Sequence, residues 1–369
     1  MVKKFLNVAL VNQLKKIDWT LNLIVLLLIL VGLLTIYSIS QSNSIELFKR
    51  QLFYVVFGFI LMILVSSIDY RTFRDVSFLL LGLYFLSIFL LVLVLLIGKE
   101  IRGVNAWIKI KNLGFQPVEL VKLSVILVLA KYFSLRHTEI SRPRHLFISG
   151  AYISLPVFLL LLQPELGYVL ILVLIWLVIV GVAGIKFKHL LIIGLICLLL
   201  LSLGWFFWLK EYQKERIISF LNPYSDPLGR GYHIIQSIIA VGSGKLFGRG
   251  LGKGPQSHLN FLPEQHTDFI FATFAEEWGF IGIIFILFLF GIFFYRLCKI
   301  SLSATNNFAR LFVLGFATMI LLEAIINIAM NLGLLPIIGI PLPFISYGGS
   351  SMIINFIGLG IIQSIIKNK

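Results

Sequence analysis

Residues 261–279 read Phe261-Leu-Pro-Glu-Gln-His-Thr-Asp268-Phe-Ile-Phe-Ala-Thr-Phe-Ala-Glu276-Glu277-Trp-Gly279, and they run directly into the apolar segment 280–294. The pattern is that of a membrane-length helix whose first part carries acids. A carboxylate at the centre of a membrane helix costs about 2.5 to 3.5 kcal/mol on insertion scales, so acids in such helices usually face a polar cavity. This stretch therefore predicts a membrane helix with a functional site at one end, and Asp268 is the first candidate residue of that site.

The composition of the whole chain also indicates a membrane protein. Of its 369 residues, 59% are hydrophobic and 13% are charged, and the mean hydropathy is +1.01. A soluble core of this length does not absorb so much apolar surface. The net charge of +15 comes from short basic clusters between apolar runs, which are typical of membrane topology signals and not of nucleic-acid binding. Two cysteines in apolar surroundings offer neither a disulfide framework nor a cysteine zinc site.

The apolar runs predict the fold class, an all-α integral membrane protein in which residues 1–369 form a single polytopic domain. Windows long enough to cross about 30 Å of hydrocarbon predict ten transmembrane helices. They are 21–38, 52–67, 78–97, 118–133, 146–162, 168–185, 190–209, 269–295, 311–331 and 351–366. Between the seventh and eighth spans, residues 210–267 form a loop that is too long and too patterned to be a simple connector.

The distribution of lysine and arginine predicts the orientation. Basic residues of the short loops fall on the side that precedes the first span, and the positive-inside rule places that side in the cytoplasm. Both termini are thus predicted to be cytoplasmic, and the loop 210–267 is predicted to be extracytoplasmic. The outer loops are basic as well, which fits either a ligand with phosphates at the head-group level or anionic lipid.

The long outer loop contains an amphipathic pattern at 234–241 and a glycine-rich stretch at 242–254. The first predicts a short helix at the membrane interface. The second has no register that gives a nucleotide-binding glycine loop. Two interpretations remain for it, a flexible cationic surface and ordinary turn chemistry.

Charged residues recur at the outer ends of the predicted spans. Glu119 and Lys122 lie three residues apart at the start of the fourth span, Glu165 precedes the sixth, and Asp268 opens the eighth. Each also has an ordinary explanation. Glu119 and Lys122 would form a neutralised ion pair, Glu165 would be an exposed loop acid, and Asp268 would be a charge favoured at a helix N-terminus. Because all four lie at outer ends, a single cavity could gather them, and we adopt this interpretation.

Other polar residues within the spans are more typical of contacts between helices. Glu323, Asn327 and Asn331 follow one another at i+4 spacing in the ninth span. Glu276, like Glu323, is kept as a possible cavity or partner-facing group. The proline- and glycine-rich segment 339–351 predicts a rigid re-entrant outer loop that either caps the cavity or seats the last span.

Several motifs together resemble those of a known family. They are Gln116-Pro-x-Glu119-Leu-x-Lys122, Gln163-Pro-Glu-Leu-Gly167, Asn222-Pro-x-x-Asp-Pro-x-Gly229, Phe261-Leu-Pro-Glu-x-His-Thr-Asp-Phe-Ile-Phe271 and Pro341-Leu-Pro-Phe-Ile-Ser-Tyr-Gly-Gly-Ser350. This set resembles that of the shape, elongation, division and sporulation (SEDS) family of peptidoglycan glycosyltransferases over essentially the whole chain. Three segments, 17–19, 231–237 and 261–264, are similar to the rod-shape (RodA-like) branch more than to the division (FtsW-like) branch.

The resemblance implies a processive polymerase of lipid II, the undecaprenyl-diphosphate-linked disaccharide pentapeptide, at the outer face of the bacterial cytoplasmic membrane. It implies that Asp268 is the essential acid, that Glu119, Lys122 and Glu165 line its cavity, and that Trp107 belongs to the loop after the third span. It also implies a class B penicillin-binding protein as transpeptidase partner, bound through transmembrane helices. The chain departs from the family pattern at Ala106, at Val118 and in having Glu at 165, where Asp is common.

Glycosyl transfer from a diphosphate needs one carboxylate and a group of cations. We assign Asp268 as general base on the acceptor hydroxyl, because an aspartate side chain in a model peptide, with a pKa near 3.9, is ionised at neutral pH. The candidate substrate-binding cations are Arg102, Lys109, Lys111, Lys122, Arg230, Lys245 and Arg249, joined by His266 of the Asp268 motif. No cofactor is firmly implied, although a divalent cation, Mg²⁺ or Mn²⁺, could assist the leaving diphosphate.

Two other classes of function stay open at the level of sequence. Membrane acids and a cationic cavity would also suit a lipid II transporter, and a non-catalytic scaffold could activate a partner polymerase. The chain has no Asp-x-Asp, His-Glu-x-x-His or Gly-x-Ser-x-Gly. Nucleotide-sugar transferases that hold a metal on Asp-x-Asp, zinc proteases and serine hydrolases are therefore disfavoured.

Overall fold

The computed structural model of the chain describes residues 17–43, 45–101, 104–110, 113–136, 143–185, 211–227, 229–259 and 261–368, with isolated positions between 188 and 202. The helices in chain order are α1 (Trp19–Asn43), α2 (Ile45–Ser67), α3 (Tyr70–Asp75), α4 (Ser77–Ile97), α5 (Pro117–Ser134), α6 (Pro143–Leu162), α7 (Leu166–Ala183), α8 (Glu211–Leu221), α9 (Arg230–Ser243), α10 (Pro255–His258), α11 (Ile270–Leu302), α12 (Asn307–Asn331) and α13 (Gly349–Lys367). The strands are β1 (Lys99–Ile101), β2 (Val104–Ile110) and β3 (Leu113–Phe115).

The membrane-spanning helices match the apolar runs of the sequence. Within the described residues, α1, α2, α4, α6, α7, α11, α12 and α13 are long and apolar enough to cross a membrane, and they coincide with eight of the predicted spans. Helix α5 lies where the fourth span is predicted, but it is not one of these eight, because it carries the charged residues Glu119, Lys122 and Lys131. The seventh predicted span, 190–209, falls mostly outside the described residues. The chain is thus a multi-pass membrane protein, and the count of ten spans stays a prediction.

Local sequence signals explain several helix ends. Pro117 occupies the first turn of α5, where its missing N–H would have had no helical partner. Helix α7 ends at Gly184, whose φ of 109° is the left-handed conformation that glycine adopts without strain. At the start of α12 the Asn306 side chain accepts a hydrogen bond from the N–H of Ala309, which caps the helix.

Helix α5 forms the centre of the bundle. It packs against α4, α6, α7, α12 and α13, and nearly all of its side chains are buried, including Glu119 and Lys122. Helix α5 is thus buried on all sides, whereas α2 and α4 at the periphery expose about half of their apolar residues, as lipid-facing helices do. The charged first turns of α5 therefore lie inside the protein, and their charges require partners there.

A small sheet between α4 and α5 is a departure from the all-α prediction. The three strands pair antiparallel in the order β1-β2-β3, with Trp107 opposite Lys99 and Lys109 opposite Gly114. The segment 104–110 alternates β-branched or small residues with polar and aromatic ones, which is the period of a strand. The sheet replaces the loop predicted after the third span.

Helix α11 is broken near its beginning, although the sequence predicts it as one uninterrupted span. At Gly279 the backbone has φ 67° and ψ −164°, so a leading segment 270–278 is separated from the long segment 280–302. Before it, the loop 210–267 contains α8, α9 and α10. Helix α9 confirms the predicted helix at 234–241 and extends it at both ends.

Candidate active site

Asp268 lies in the turn immediately before α11 and is half-buried. Its backbone oxygen accepts hydrogen bonds from the side-chain amides of Asn327, at 3.1 Å, and Asn331, at 2.9 Å. Asn331 Oδ1 in turn accepts the N–H of Ala272, at 3.1 Å. The polar stripe of α12 therefore joins two helices, as the i+4 spacing predicts, and the point it fixes is the backbone of the candidate base.

The segment 332–348, which follows α12, holds the same turn from the other side. The N–H of Tyr347 donates to the oxygen of His266 at 2.8 Å, and Ser346 Oγ donates to the oxygen of Thr267 at 2.7 Å. A Cβ on Gly339 would lie 3.6 Å from Asp268 Oδ2. Three consecutive carbonyls, those of residues 266, 267 and 268, are thus hydrogen-bonded to other elements. The predicted re-entrant loop lies beside Asp268, and these bonds fix the backbone from which its carboxyl group projects.

A buried ion cluster lies at the start of α5. Lys122 Nζ is 2.8 Å from Glu119 Oε2, with side-chain exposures of 0% and 1%, and it also contacts the carboxylate of Glu323 on α12. The ring of Tyr168 lies 5.2 Å from the same ammonium. One cation is therefore shared by two carboxylates. The neutralised ion pair that the sequence offered as the alternative explanation for Glu119 and Lys122 is present, and Glu323 is the partner that spacing within one helix could not reveal.

Glu165 lies on the other side of Tyr168, in the turn between α6 and α7. Its Oε1 accepts a hydrogen bond from Gln116 Nε2 at 3.1 Å, and the Tyr168 hydroxyl donates to Gln116 Oε1 at 3.4 Å. Burial raises the pKa of Glu165 from its ordinary 4.5 to about 8, and the nearby charge of Glu119 acts in the same direction, against the hydrogen bond from Gln116 and the charge of Lys122. This carboxyl is therefore neutral near pH 7.

We expect the Glu165→Gln variant to gain thermal stability relative to the wild-type chain as the pH rises. The folded chain keeps the Glu165 proton up to about pH 8, whereas an ordinary glutamate loses it near 4.5. Wild-type stability therefore falls progressively between these two values, and glutamine has no proton to lose. Unfolding midpoints in detergent should show the variant gaining about 2 to 5 °C on the wild type between pH 5 and pH 8.5.

The control for this measurement is Glu46→Gln, which removes an exposed acid paired with Arg50. Its midpoint should follow that of the wild type at every pH, because an exposed ion pair contributes little to stability. A Glu165→Gln difference that stays constant from pH 5 to pH 8.5 would contradict the raised pKa.

Tyr168 marks the point where these groups converge. Its ring lies 5.2 Å from the ammonium of Lys122, and its hydroxyl donates to Gln116, whose amide group in turn donates to Glu165. A Cβ on Gly167, the neighbouring residue, would come within 2.0 Å of Ile338 Cγ2, so the start of α7 packs directly on the segment 332–348. The structure thus groups Glu119, Lys122 and Glu165 around Tyr168, together with Gln116 and with Glu323, which the sequence had kept as a possible cavity group. Asp268 and the start of α7 both adjoin residues 338–340, and the single cavity stays a prediction.

The remaining candidates are His266, which lies in the same turn as Asp268, and residues that lie elsewhere or outside the described residues. Trp107 is half-buried on β2 and faces Gly114 of β3. His266 packs edge-on against Tyr347 at 5.6 Å between ring centroids. Lys245 and Arg249 are exposed near the far end of segment 270–278, roughly 13 Å along the helix from Asp268. Arg102 and Lys111 lie outside the described residues, as do the side chains of Lys109 and Arg230.

Comparison with curated proteins shows relatives along nearly the whole chain. The family model for FtsW, RodA and SpoVE, described as "Cell cycle protein", matches residues 18–369. Stage V sporulation protein E of Bacillus subtilis (strain 168) is 39% identical over 95% of this chain and 97% of its own length. Peptidoglycan glycosyltransferase MrdB of Escherichia coli (strain K12) is 35% identical over 96% of this chain and 94% of its own length.

Solved structures share the fold of this chain, with sequence identities close to those of the curated relatives. A chain of a peptidoglycan synthase complex, solved to explain how polymerization and crosslinking are coordinated, has a TM-score of 0.81 and 34% identity over 95% of this chain and 98% of its own. Rod shape determining protein RodA of Thermus thermophilus has a TM-score of 0.72 and 31% identity over 95% and 97%. These matches confirm the resemblance drawn from the motifs, and the chain belongs to the FtsW/RodA/SpoVE family, the SEDS family.

Proposed function

We propose that this chain is a peptidoglycan glycosyltransferase that polymerises lipid II into glycan strands on the outer face of the cytoplasmic membrane, in the service of cell elongation and rod shape. One observation carries the proposal. Asp268, half-buried beside a membrane-embedded group of acids, has its backbone fixed by α12 and its two preceding carbonyls fixed by the segment 332–348. A general base needs such fixed geometry. The glycosyltransferase name of a relative at 35% identity over 96% of the chain supports the reaction class.

The reaction assigned to this site is one substitution at an anomeric carbon. The acceptor sugar hydroxyl gives its proton to the Asp268 carboxylate, its oxygen forms the new glycosidic bond, and the bond from that carbon to the diphosphate breaks. Undecaprenyl diphosphate leaves with the bonding electrons. A positioned base typically contributes about 10² to 10⁴ in rate. The low dielectric around the carboxylate would strengthen its interaction with the hydroxyl.

The leaving diphosphate needs positive charge, and the outer loops carry it. Arg102, Lys109, Lys111 and Arg230 stay the candidates for this contact. Lys122 is assigned instead to holding the wall of the cavity, because its ammonium is already shared by Glu119 and Glu323. Among the residues that the structure describes, no three His, Cys, Asp or Glu side chains form a group able to hold a metal ion. We therefore assign no step to Mg²⁺ or Mn²⁺, and loss of activity in chelator would be the sign of such an ion held by the substrate phosphates.

The proposed setting is the bacterial inner membrane with both termini in the cytoplasm and the site facing outward. A class B penicillin-binding protein is the proposed transpeptidase partner, bound through transmembrane helices. The similarity at a TM-score of 0.81 to a chain of a complex that couples polymerization and crosslinking supports this partner. The apolar faces that α2 and α4 expose offer room for a partner helix within the bilayer.

Reconstitution of the purified chain into liposomes tests the proposal against its two alternatives. With lipid II as substrate, we expect glycan strands from this chain alone. Movement of labelled lipid II between leaflets without product would favour a transporter, to which the buried acids would also be suited. Product that requires the catalytic domain of an added partner would favour a scaffold. Either result would overturn the proposal.

A further inference from the structure

The break in α11 is occupied by the glycine-rich stretch of the outer loop. Backbone hydrogen bonds run in both directions between them: Phe280 N–H to Lys245 O at 2.9 Å, Ile281 N–H to Leu246 O at 3.1 Å, Arg249 N–H to Glu276 O at 3.0 Å and Gly250 N–H to Glu277 O at 3.0 Å. These bonds satisfy helix carbonyls and N–H groups that the break would otherwise leave without helical partners. The loop is therefore part of the structure of α11.

Glycine makes this close approach possible. Gly248 has φ 78°, and a Cβ there would lie 2.0 Å from the oxygen of Glu277. A Cβ on Gly279 would lie 2.2 Å from the backbone nitrogen of Gly248. The interpretation of residues 242–254 as turn chemistry is confirmed by the positive φ of Gly248, Gly250 and Gly252, and Lys245 and Arg249 are exposed as a cationic surface requires. The structure adds a further role, which is to let the loop backbone pack against the helix.

Two carboxylates reinforce the junction, and neither is used by the proposed reaction. Glu276 is fully buried and accepts the backbone N–H groups of Gln256, at 2.9 Å, and Ser257, at 3.0 Å. Glu277, also buried, accepts the N–H of Gly252 at 3.1 Å and lies 3.2 Å from His258 Nε2. We call Glu276, Glu277 and the loop groups that they bind the carboxylate clasp.

The clasp also reaches the first membrane helix. Ser38 of α1 donates its hydroxyl to Glu277, and the same hydroxyl oxygen accepts the N–H of Gly252 at 2.9 Å. The carboxylate of Glu277 therefore joins three elements: helix α1, the loop 244–258 and the end of segment 270–278. A buried carboxylate is costly unless it is hydrogen-bonded. Two of them at this junction, each bound to backbone N–H groups of the loop, indicate that the loop has a fixed position relative to the helix.

The clasp and Asp268 lie at opposite ends of the same short helix. Segment 270–278 is about 13 Å long at 1.5 Å per residue, and a helix of this length is not stable alone. Its first end is held through Asp268 and Ala272 by the amides of α12. Its second end is held by the clasp. The direction of the Asp268 carboxyl group therefore depends on both attachments.

We propose that Glu276 and Glu277 are positioning residues that align Asp268 through segment 270–278. The inference rests on the proposed role of Asp268 as base. Loosening the clasp should tilt the segment and misalign the carboxyl group without removing any group that contacts substrate. A misplacement of about 1 Å costs on the order of 10²-fold in rate. We therefore expect Glu276→Gln and Glu277→Gln to lower kcat by about 10- to 100-fold while KM for lipid II changes less than 2-fold.

The experiment pairs these rates with amide hydrogen exchange of the full-length chain in detergent. In both variants, peptides covering 266–272 should exchange faster than in the wild type, although the substitutions lie at the other end of the helix. Ser38→Ala and His258→Gln, which loosen the clasp from its partner side, should have the same two effects in smaller measure. They also replace the glutamate variants if those do not fold. Glu46→Gln, an exposed glutamate, should change neither quantity.

Three results would overturn the proposal: an unchanged kcat, a rise in KM alone, or a lower kcat with wild-type exchange at 266–272. Failure of the proposed function would leave the wild-type chain itself without glycan product, and failure of the proposed base role gives a further, different result. In that case Asp268→Asn would itself polymerise lipid II at the wild-type rate, whatever the clasp variants do.

Discussion

Replacing Lys122 with methionine should destabilise the folded chain by about 3 to 5 kcal/mol. The substitution keeps an apolar stem of similar length and removes only the ammonium, which is fully buried between Glu119 and Glu323. Two carboxylates would then share a low-dielectric site without a cation, and each would have to take up a proton or admit water. Thermal unfolding in detergent should show a midpoint lower by roughly 10 °C.

A second substitution should restore part of this loss. Glu323→Gln in the Lys122→Met background leaves one carboxylate in place of two, and an amide needs no counter-ion. The matched control is Lys131→Met on the same helix, because Lys131 is partly exposed and its ammonium donates to a backbone oxygen, that of Asp75, at 3.4 Å. It should cost less than about 1 kcal/mol. Equal midpoints for the Lys122 and Lys131 variants would show that the buried ion cluster does not stabilise the chain.

The sequence predicts the helical elements because membrane spans depend on local composition. Eight of the predicted spans are helices of the expected kind, since a bilayer requires about 20 apolar residues whatever the tertiary contacts are. The motif around Asp268 and the acids at 119 and 165 are likewise visible as charges in apolar surroundings. The i+4 stripe of Asn327 and Asn331 correctly predicts a contact between helices, although not the residue that it binds.

The features that the sequence does not reveal depend on distant contacts. Glu323 lies 201 positions from Lys122, and no spacing rule joins the two. The break at Gly279 exists because residues 245–250 bond to the helix there, and a lone glycine in an apolar run carries no such signal. The sheet after α4 is not predicted from the sequence, because its strands are short and short alternating segments with lysines are also typical of loops. The period of two in residues 104–110 is the signal that could have identified it.

Asp268→Asn should abolish most of the polymerase activity without unfolding the chain. Asparagine has the size of aspartate but cannot take a proton from the acceptor hydroxyl, so kcat should fall by about 10² to 10⁴ while KM changes little. The fold should survive, because α12 and the segment 332–348 hold this turn through its backbone carbonyls. Asp75→Asn, an exposed aspartate paired with Arg74, is the matched control and should retain the wild-type rate.

The role of Asp268 is best decided by the initial rate of lipid II polymerisation in liposomes. The wild-type chain, Asp268→Asn and Asp75→Asn are compared, each purified and shown to be folded by its unfolding midpoint. We expect glycan strands from the wild type and from Asp75→Asn, and a rate at least about 100-fold lower from Asp268→Asn. A folded Asp268→Asn chain that polymerises lipid II within about threefold of the wild-type rate would contradict this expectation, because the base that the site is built around would then be dispensable.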